Sequence, residues 1–227
     1  FHPYESWWRN RLYIIAERWA ARFSRRVFVV ADAMSRQALA AGIGTEDLYR
    51  TVYSGFDMEP LLNLKRDDAL ASELGIPDGC PVVGKVARLF ELKGYRNLMK
   101  AAPIIAEAVP RVRFLIVGDG VLTDEIKRQV HDLGLTENFI FAGLVKPSEV
   151  MRYISLMDVV VHLSLREGLP RSLSQAAAAA KPCVGLDLDG TPEVIIDGQT
   201  GYVCTPGDHS AVATAVVSLL QNPERNG

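Results

Sequence analysis

The sequence has 227 residues, of which 48% are hydrophobic and 23% charged, so the chain can bury a sizeable core in one or two domains. Its formal net charge of −2 provides no global attraction for nucleic acid, and we expect no nucleic-acid partner. No apolar run is long enough to span a bilayer and no signal peptide precedes the fold, so we expect a cytoplasmic protein.

The first predicted element is an amphipathic helix over residues 11–24. Its apolar side chains recur at helical spacing and form one stripe: Leu12, Ile15, Ala16, Trp19, Ala20 and Phe23. The favoured interpretation is that this stripe faces the core while the arginines face solvent. The alternative is a peripheral membrane contact, in which the aromatic and basic side chains of residues 7–26 rest on an anionic inner membrane face.

A short α/β segment and a polar stretch follow this helix. Residues 27–30 predict a strand, Asp32 is a candidate N-cap for the next helix, and residues 51–53 predict a second strand. The polar stretch over residues 63–68 is typical of a linker into a second unit.

From there strands and helices alternate almost without interruption. The predicted strands cover residues 82–87, 112–117, 139–142, 159–163, 183–186 and 202–204. The longer predicted helices cover residues 95–108, 122–133, 147–156, 170–180 and 210–220. Apolar strands alternating with helices indicate an α/β fold with a parallel sheet covered by helices on both faces.

The stretch after the fourth of these strands is the most informative in the chain. Gly168 and Pro170 end the strand, and Pro170 has the fixed φ that suits the first turn of a helix. Glu167 therefore stands at the carboxyl end of a strand and just before a helix amino terminus, where open α/β sheets bind ligands and where backbone N–H groups receive phosphate. The alternative is that Glu167 only complements the helix dipole.

Two cations flank the loop after the first strand of the alternation. Arg88 offers a planar fork that matches phosphate oxygens, and Lys93 offers a compact charge just before Gly94. Together they could neutralise a pyrophosphate leaving group at the same edge of the sheet. The alternative is a pair of solvated surface cations.

Glycine turns follow the next two strands. In the Gly118-Asp119-Gly120 turn the two glycines allow the backbone to approach a ligand closely or to adopt a positive φ, although such a turn is also common between secondary-structure elements. Val145 follows the strand exit at Gly143, where the backbone could pair with a flat base, although taken alone this segment is better explained as an ordinary strand exit.

The remaining polar residues do not suggest a metal or a cofactor. No His, Cys and Asp set has ligand spacing, so we expect no metal site. The three cysteines are expected to be reduced, and His162 is expected to be a core residue with its hydrogen bonds satisfied.

The ordered series of these motifs resembles the family 4 glycosyltransferases. The series consists of Arg88…Lys93-Gly94, Val117 to Gly120, Arg166 to Pro170, and Gly190-Thr191-Pro192-Glu193 followed by Asp197 to Gly201. The resemblance implies a retaining enzyme of the GT-B fold, in which two Rossmann-like domains face each other across the active site. Such enzymes transfer a sugar from a nucleotide-sugar donor to an acceptor, usually without a bound metal and with no other cofactor.

The resemblance also implies roles for individual residues. Arg88 and Lys93 would hold the donor pyrophosphate, and Glu167, the first glutamate of an E-x7-E motif, would contact the transferred sugar. The base and phosphates would lie by Gly118, Asp119, Gly120 and Val145. The backbone of Gly168, Leu169 and Pro170 would face the sugar and the phosphates.

Three departures from the family pattern stand out. Gln175 replaces the second glutamate, which grips the ribose hydroxyls. Ala180 stands where the family often has glycine and would be strained if that position needs a positive φ. Residues 1–57 would be only a remnant of the acceptor-side domain, and residues 58–227 the nucleotide-sugar-binding domain, so we expect a truncated form.

The acceptor could be a lipid, a saccharide or a small metabolite. Two other functions stay open: a GT-B relative that epimerises or phosphorolyses its substrate, and a catalytically silent nucleotide-sugar-binding fragment.

Overall fold

The computed structural model of the protein describes residues 6–222. The chain forms two compact units, Phe1–Gly55 and Phe56–Gly227. The interpretation of the first unit as the remnant of an acceptor-side domain stays a prediction. Within residues 6–222, no helix is both long enough and apolar enough to cross a membrane.

The first unit is a small α/β arrangement. Its elements are α1 (Trp7–Ala21), β1 (Val27–Val29), α2 (Asp32–Ala40) and β2 (Tyr49–Thr51). The two strands pair in parallel, as expected for strands connected through a helix. The small core of the unit contains Val29, Ala38, Ile43, Leu48 and Tyr49.

The predicted core-facing stripe of α1 is wrong. The exposed fractions of its apolar side chains are 57% for Leu12, 54% for Ile15, 65% for Trp19 and 75% for Phe23. Ile14 and Ala21, on another face of the helix, pack against the core of the unit. Helical spacing identifies an apolar face, but it does not show what covers that face.

Asp32 is also placed differently from the prediction. It is the first helical residue of α2 and the N-cap position belongs to Ala31, which makes no side-chain cap. The Asp32 carboxylate instead accepts hydrogen bonds from the hydroxyls of Thr51 and Tyr53. It therefore connects α2 to the segment at β2.

The second unit contains a six-stranded sheet with helices on both faces. The strands are β3 (Val82–Val86), β4 (Arg113–Val117), β5 (Phe139–Gly143), β6 (Val159–His162), β7 (Cys183–Leu186) and β8 (Gly201–Cys204). The helices are α3 (Asp68–Glu73), α4 (Tyr95–Ala108), α5 (Thr123–Asp132), α6 (Val150–Ser155), α7 (Arg171–Ala178) and α8 (His209–Gln221). The strand order is β5-β4-β3-β6-β7-β8, and every neighbouring pair is parallel. The predicted α/β fold with a parallel sheet is confirmed.

Successive strand residues face opposite sides of this sheet, which explains why the strands are apolar throughout. On one side, Val83 and Val159 pack with residues of α4 and α8. On the other, Val82 and Val160 pack with residues of α6 and α7.

The strand order reverses direction between β3 and β6. From β3 the chain proceeds outward through β4 to β5, and it then returns to the other side of β3 to add β6, β7 and β8. At such a switch point the loops leaving the two neighbouring strands diverge, and a crevice opens at their carboxyl ends. Lys93 follows β3 and Glu167 follows β6, so both predicted residues lie at this point.

Helix α7 ends earlier than predicted because Ala180 leaves the helical region. The φ of Ala180 is +53°, in the left-handed region that glycine adopts more readily. The Ala180 N–H donates to the Ala177 carbonyl at 3.0 Å, and the Lys181 N–H donates to the Ala176 carbonyl at 2.9 Å. These two bonds form a Schellman motif, in which the left-handed position is usually glycine.

We expect Ala180→Gly to raise the melting temperature by about 2–4 °C. Relief of the left-handed alanine stabilises the fold by about 1 kcal/mol after the greater flexibility of glycine in the unfolded chain is subtracted. Thermal unfolding followed by circular dichroism measures the change. Ala178→Gly, two residues earlier and at the last helical residue of α7, is the matched control and should lower the melting temperature. A decrease with Ala180→Gly would contradict the strain argument.

All three cysteines are reduced and buried in the second unit. Cys183 and Cys204 lie in strands, as predicted. Burial raises the pKa of Cys183 to about 12 and that of Cys204 to about 11.

Candidate functional site

Lys93 and Glu167 meet at the switch point of the sheet. The Lys93 ammonium forms an ion pair with the Glu167 carboxylate, although 74 residues separate them in the sequence. The side chains are 19% and 26% exposed, so the pair is shielded from bulk solvent but still reaches the surface. A cation and a carboxylate therefore share one position on the rim of the sheet.

The local backbone explains how the two loops come together. Lys93 ends a 3₁₀ turn, Glu91–Lys93, and Gly94 follows with a φ of +71°. A Cβ atom added at Gly94 would lie 1.7 Å from the Leu163 carbonyl oxygen, so only glycine permits this contact between the loops. The Leu165 N–H donates to the Leu92 carbonyl at 2.8 Å and joins the loops a second time.

Arg88 lies at the same edge of the sheet but takes a different partner. It is exposed, two residues beyond the end of β3. Its guanidinium lies over the Phe90 ring, 5.0 Å from the ring centroid. The structure therefore pairs Lys93 with Glu167 and places Arg88, the third predicted charged residue, on the same rim beside Phe90.

The Gly118 to Gly120 turn packs against the loop after β3. A Cβ atom at Gly118 would lie 2.1 Å from the Ala87 carbonyl oxygen, and one at Gly120 would lie 2.4 Å from the Leu89 carbonyl oxygen. The glycines thus allow one loop to approach another closely. The Asp119 carboxylate accepts hydrogen bonds from Thr123 Oγ1 at 2.6 Å and from the Gly120 N–H at 2.7 Å, which lower its pKa. Asp119 therefore stabilises its own turn.

The residues after Glu167 lead directly into α7. Pro170 occupies the N-cap position, and its carbonyl accepts from the Ser174 N–H at 3.0 Å. The Gly168 carbonyl accepts a hydrogen bond from the Gly190 N–H at 3.1 Å. The side chain of Leu169, between Gly168 and Pro170, is half-buried. Gln175 lies on α7 with a half-buried side chain. The first N–H groups of α7 therefore face the carboxyl edge of the sheet, close in sequence to Glu167.

Val145 lies beyond the exit of β5. Gly143 has a φ of +71°, and the exposed Leu144 separates it from Val145. The Val145 side chain is half-buried and packs against the hydrophobic core. Its backbone lies in the loop after β5, two strands from the switch point.

Three buried polar atoms near the switch point were not predicted. Lys85 Nζ, His162 Nε2 and Ser164 Oγ have no hydrogen-bond partner among the described residues, so the prediction that His162 is satisfied is wrong although its core position is right. Burial and then the charge of Lys85 lower the pKa of His162 to about 3. Lys85 is 1% exposed, and its ammonium lies 5.0 Å from the centroid of the Tyr95 ring. The presence of a lysine within the apolar residues of β3 was the sequence signal that could have identified these buried polar side chains.

Asp189 is a further residue that sequence reasoning missed. Its carboxylate accepts a hydrogen bond from the Glu167 N–H at 2.7 Å, 22 residues away in the sequence. Asp189 and Gly190 follow β7 and form an ordinary turn pair in the sequence, so no local signal distinguishes this contact.

A cavity of about 630 Å³ lies at the opposite edge of the sheet. Its charged lining residues are Arg66, Asp158 and Lys181. Asp158 accepts the Val82 N–H at 2.7 Å, and Lys181 donates to the Ser155 carbonyl at 3.2 Å. These bonds connect the amino ends of strands, so we assign this cavity to the scaffold.

The arrangement at the switch point suits a ligand with two kinds of polar group. Cations and free helix N–H groups attract anions such as phosphate. A carboxylate accepts hydrogen bonds from hydroxyl groups. A molecule that carries both phosphates and hydroxyls would satisfy both.

Comparison with known proteins agrees with this arrangement. The family described as "Glycosyl transferases group 1" matches residues 67–226, more than half of the chain. The chain is 26% identical over 218 residues to a 2-deoxystreptamine glucosyltransferase of Streptomyces kanamyceticus, covering 95% of this chain and 56% of that protein. It is 33% identical over 153 residues to a GDP-mannose-dependent phosphatidylinositol monomannoside mannosyltransferase of Mycolicibacterium smegmatis, covering 64% of this chain and 40% of that protein.

A solved structure gives the same result for the fold. Anabaena Alr3699/HepE in complex with UDP-glucose superimposes with a TM-score of 0.80 at 26% identity, covering 93% of this chain and 58% of that one. The sheet and its helices thus match a GT-B glycosyltransferase structure. The chain spans about half the length of the curated relatives it matches. On the family match and the shared fold, the chain belongs to the group 1 glycosyltransferases.

Proposed function

We propose that the second unit is the nucleotide-sugar-binding half of a retaining glycosyltransferase. The observation that supports this most directly is the Lys93–Glu167 ion pair at the switch point between β3 and β6. The structure of the relative in complex with UDP-glucose supports a nucleotide-sugar donor. Transfer to an acceptor, whether a lipid, a saccharide or a small metabolite, is proposed for the whole protein.

In this proposal the cations of the chain act on the leaving group. Breaking the bond between sugar and diphosphate leaves negative charge on the phosphate oxygens. Arg88, Lys93 and the free N–H groups of α7 stabilise that charge, an effect that often provides the largest part of catalysis. A metal ion is then unnecessary, and a chelator should leave donor binding unchanged.

Glu167 has a different role because it contacts the sugar. Its carboxylate accepts hydrogen bonds from sugar hydroxyls and so orients the ring above the sheet, without acting as a nucleophile. Lys93 has three N–H donors, so it can keep its bond to Glu167 while donating to a phosphate oxygen. Donor binding therefore does not require the ion pair to break, and the pair aligns sugar and diphosphate relative to each other.

Calorimetry tests the donor site directly. The chain is titrated with UDP, GDP, UDP-glucose and GDP-mannose, and we expect heat with one nucleotide and its sugar. Absence of heat with all four in a folded sample would refute the proposal. Nucleotide release measured with and without an acceptor, together with a search for isomerised donor, then separates transfer from epimerisation and from simple binding.

We expect Gln175→Glu to tighten ribonucleotide binding about fivefold. A carboxylate accepts from both ribose hydroxyls and forms hydrogen bonds about 1 kcal/mol stronger than those of a neutral amide. The comparison uses calorimetry with the nucleotide and with its 2′,3′-dideoxy analogue, whose affinity should not change. An equal effect on both ligands would exclude a ribose contact.

We also propose that the first unit makes a peripheral membrane contact. Trp7, Trp8, Trp19 and Phe23 are exposed on α1, and arginines accompany them over residues 7–26. Exposed aromatic and basic side chains favour peripheral contact with an anionic membrane surface, as on an inner membrane face. Flotation with phosphatidylglycerol vesicles, compared with phosphatidylcholine vesicles, tests this contact; equal recovery in both would contradict it.

A further inference from the structure

Glu167 lies in a loop that is held from two directions. On one side its carboxylate pairs with Lys93. On the other its own N–H donates to the Asp189 carboxylate at 2.7 Å, and the Gly190 N–H donates to the Gly168 carbonyl at 3.1 Å. The turn after β7 therefore fixes the backbone of Glu167 while the loop after β3 fixes its side chain.

Asp189 has an unfavourable backbone conformation for a residue with a side chain. Its φ is +50°, and Asp189 and Ala180 are the two residues other than glycine with positive φ among residues 6–222. Glycine adopts this region more readily, although aspartate tolerates it better than most residues do. A strained backbone at a functional site indicates that the arrangement of the residue and its neighbour is maintained at some cost in stability.

The bond from Glu167 to Asp189 is also of a strong kind. An N–H group donating to a carboxylate forms a shorter and stronger bond than one donating to a neutral carbonyl. Glycine at this position would relieve the backbone but could not make this bond. The side chain of Asp189 thus provides what the backbone alone does not.

We propose that Asp189 is a positioning residue that sets the height and direction of Glu167 relative to the transferred sugar. It acts through the Glu167 N–H, without touching the donor itself. This inference rests on the proposed function, because Glu167 is assigned to the sugar only there. A displaced Glu167 should lose its contact with the sugar while the contacts to the diphosphate persist.

Two substitutions of Asp189 distinguish an effect on the placement of Glu167 from an effect on the stability of the fold. Asp189→Gly removes the acceptor and relieves the backbone, whereas Asp189→Asn keeps an acceptor oxygen and tolerates a positive φ. Ala180→Gly is the matched control, since it relieves the other positive φ and lies beyond the far end of α7. A purely structural role would appear as a lower melting temperature with Asp189→Gly, which we do not expect.

The first readout is amide hydrogen exchange at Glu167. We expect protection to fall about tenfold or more with Asp189→Gly, and to be retained with Asp189→Asn and Ala180→Gly. Unchanged protection with Asp189→Gly would overturn the inference. This readout needs no ligand, so it stands even if the donor-site proposal fails.

The second readout is sugar selectivity in calorimetry. The wild-type chain is first tested for whether it binds UDP-glucose or GDP-mannose. The affinity for that nucleotide sugar is then divided by the affinity for UDP or GDP alone. We expect this ratio to fall about tenfold with Asp189→Gly and to be restored with Asp189→Asn. Lost protection with an unchanged ratio would show that Asp189 holds the loop but does not position Glu167 for the sugar, and would overturn the inference.

Discussion

Replacing both Arg88 and Lys93 by alanine should weaken nucleoside diphosphate binding by about 100-fold, while nucleoside binding changes less than about threefold. Each hydrogen bond to a charged group contributes about 1.5–3 kcal/mol, and about 1.4 kcal/mol corresponds to a factor of ten. Arg88 is exposed, so the estimate uses the lower end of this range. Calorimetry with the diphosphate and the nucleoside provides the comparison.

The control for this double variant removes the same number of positive charges at a place away from the site. Lys100→Ala combined with Arg128→Ala removes two exposed cations from α4 and α5, and its diphosphate affinity should change less than about threefold. Equal losses for diphosphate and nucleoside would mean that Arg88 and Lys93 are structural.

A second comparison addresses the ion pair itself. Lys93→Ala leaves the Glu167 carboxylate without the cation it contacts, and that carboxylate could repel phosphate. Adding Glu167→Gln removes the negative charge. If diphosphate affinity stays low in the double variant, the affinity was lost because Lys93 no longer contacts the diphosphate. Full recovery would instead show that repulsion by the Glu167 carboxylate caused the loss.

Replacing Lys85 by methionine should make the protein more stable at pH 7 and change how stability depends on pH. Burial, followed by the charge of Lys93, lowers the pKa of Lys85 to about 7 from 10.5 in the unfolded chain. Between these values the unfolded state binds the proton and the folded state does not. The free energy of unfolding of the wild-type protein therefore rises with pH above 7.

The size of this effect follows from the same linkage. Between pH 7 and 9 the Lys85 contribution to the free energy of unfolding should rise by about 1.4 kcal/mol per pH unit, hence by about 2–3 kcal/mol in total. Below pH 7 both states hold the proton and the contribution is constant. In Lys85→Met this rise should be absent, and stability at pH 7 should be about 3–5 kcal/mol higher because no amine is buried without a hydrogen-bond partner.

Urea denaturation followed by circular dichroism at several pH values measures both effects. Lys85→Arg is the control, since the guanidinium keeps its charge across this range, and it should be less stable than the wild type without a rise from pH 7 to 9. His162 contributes at lower pH, where its pKa of about 3 means that stability is lost as pH falls from about 6.5; because burial is the larger cause of this shift and the charge of Lys85 the second, the loss should persist in Lys85→Met but be smaller. Parallel wild-type and methionine curves above pH 7 would contradict the prediction.

The regular part of the fold could be predicted because its signals are local. Apolar strands alternating with helices determined the parallel sheet, and the boundaries of α4 and β7 were predicted correctly. The loops after β3 and β6 were identified as the candidate rim because carboxyl ends of neighbouring parallel strands lie at the same edge. Whether these strands were neighbours depended on the strand order, which local patterns do not contain.

The features that escaped prediction depend on contacts distant in sequence. The stripe of α1 showed which side chains are apolar but not that Trp19 and Phe23 are exposed. Asp189 has an ordinary turn sequence, and only the folded chain brings it to the Glu167 N–H. Ala180 differed from the family pattern, and its positive φ became visible only in the folded chain. Each case concerns a partner or a backbone angle that neighbouring residues do not determine.

The burial of the cysteines gives a chemical reporter for one half of the molecule. Cys80, Cys183 and Cys204 are the complete set of thiols in the chain, and all lie after Gly55. A buried thiol is shielded from a reagent in solution, and burial also raises the pKa of Cys183 and Cys204, which makes their reactive thiolate form scarce. Labelling by a disulfide reagent therefore follows opening of the sheet-containing unit and does not respond to melting of the first unit, so the stability of the sheet-containing unit can be measured in the intact chain.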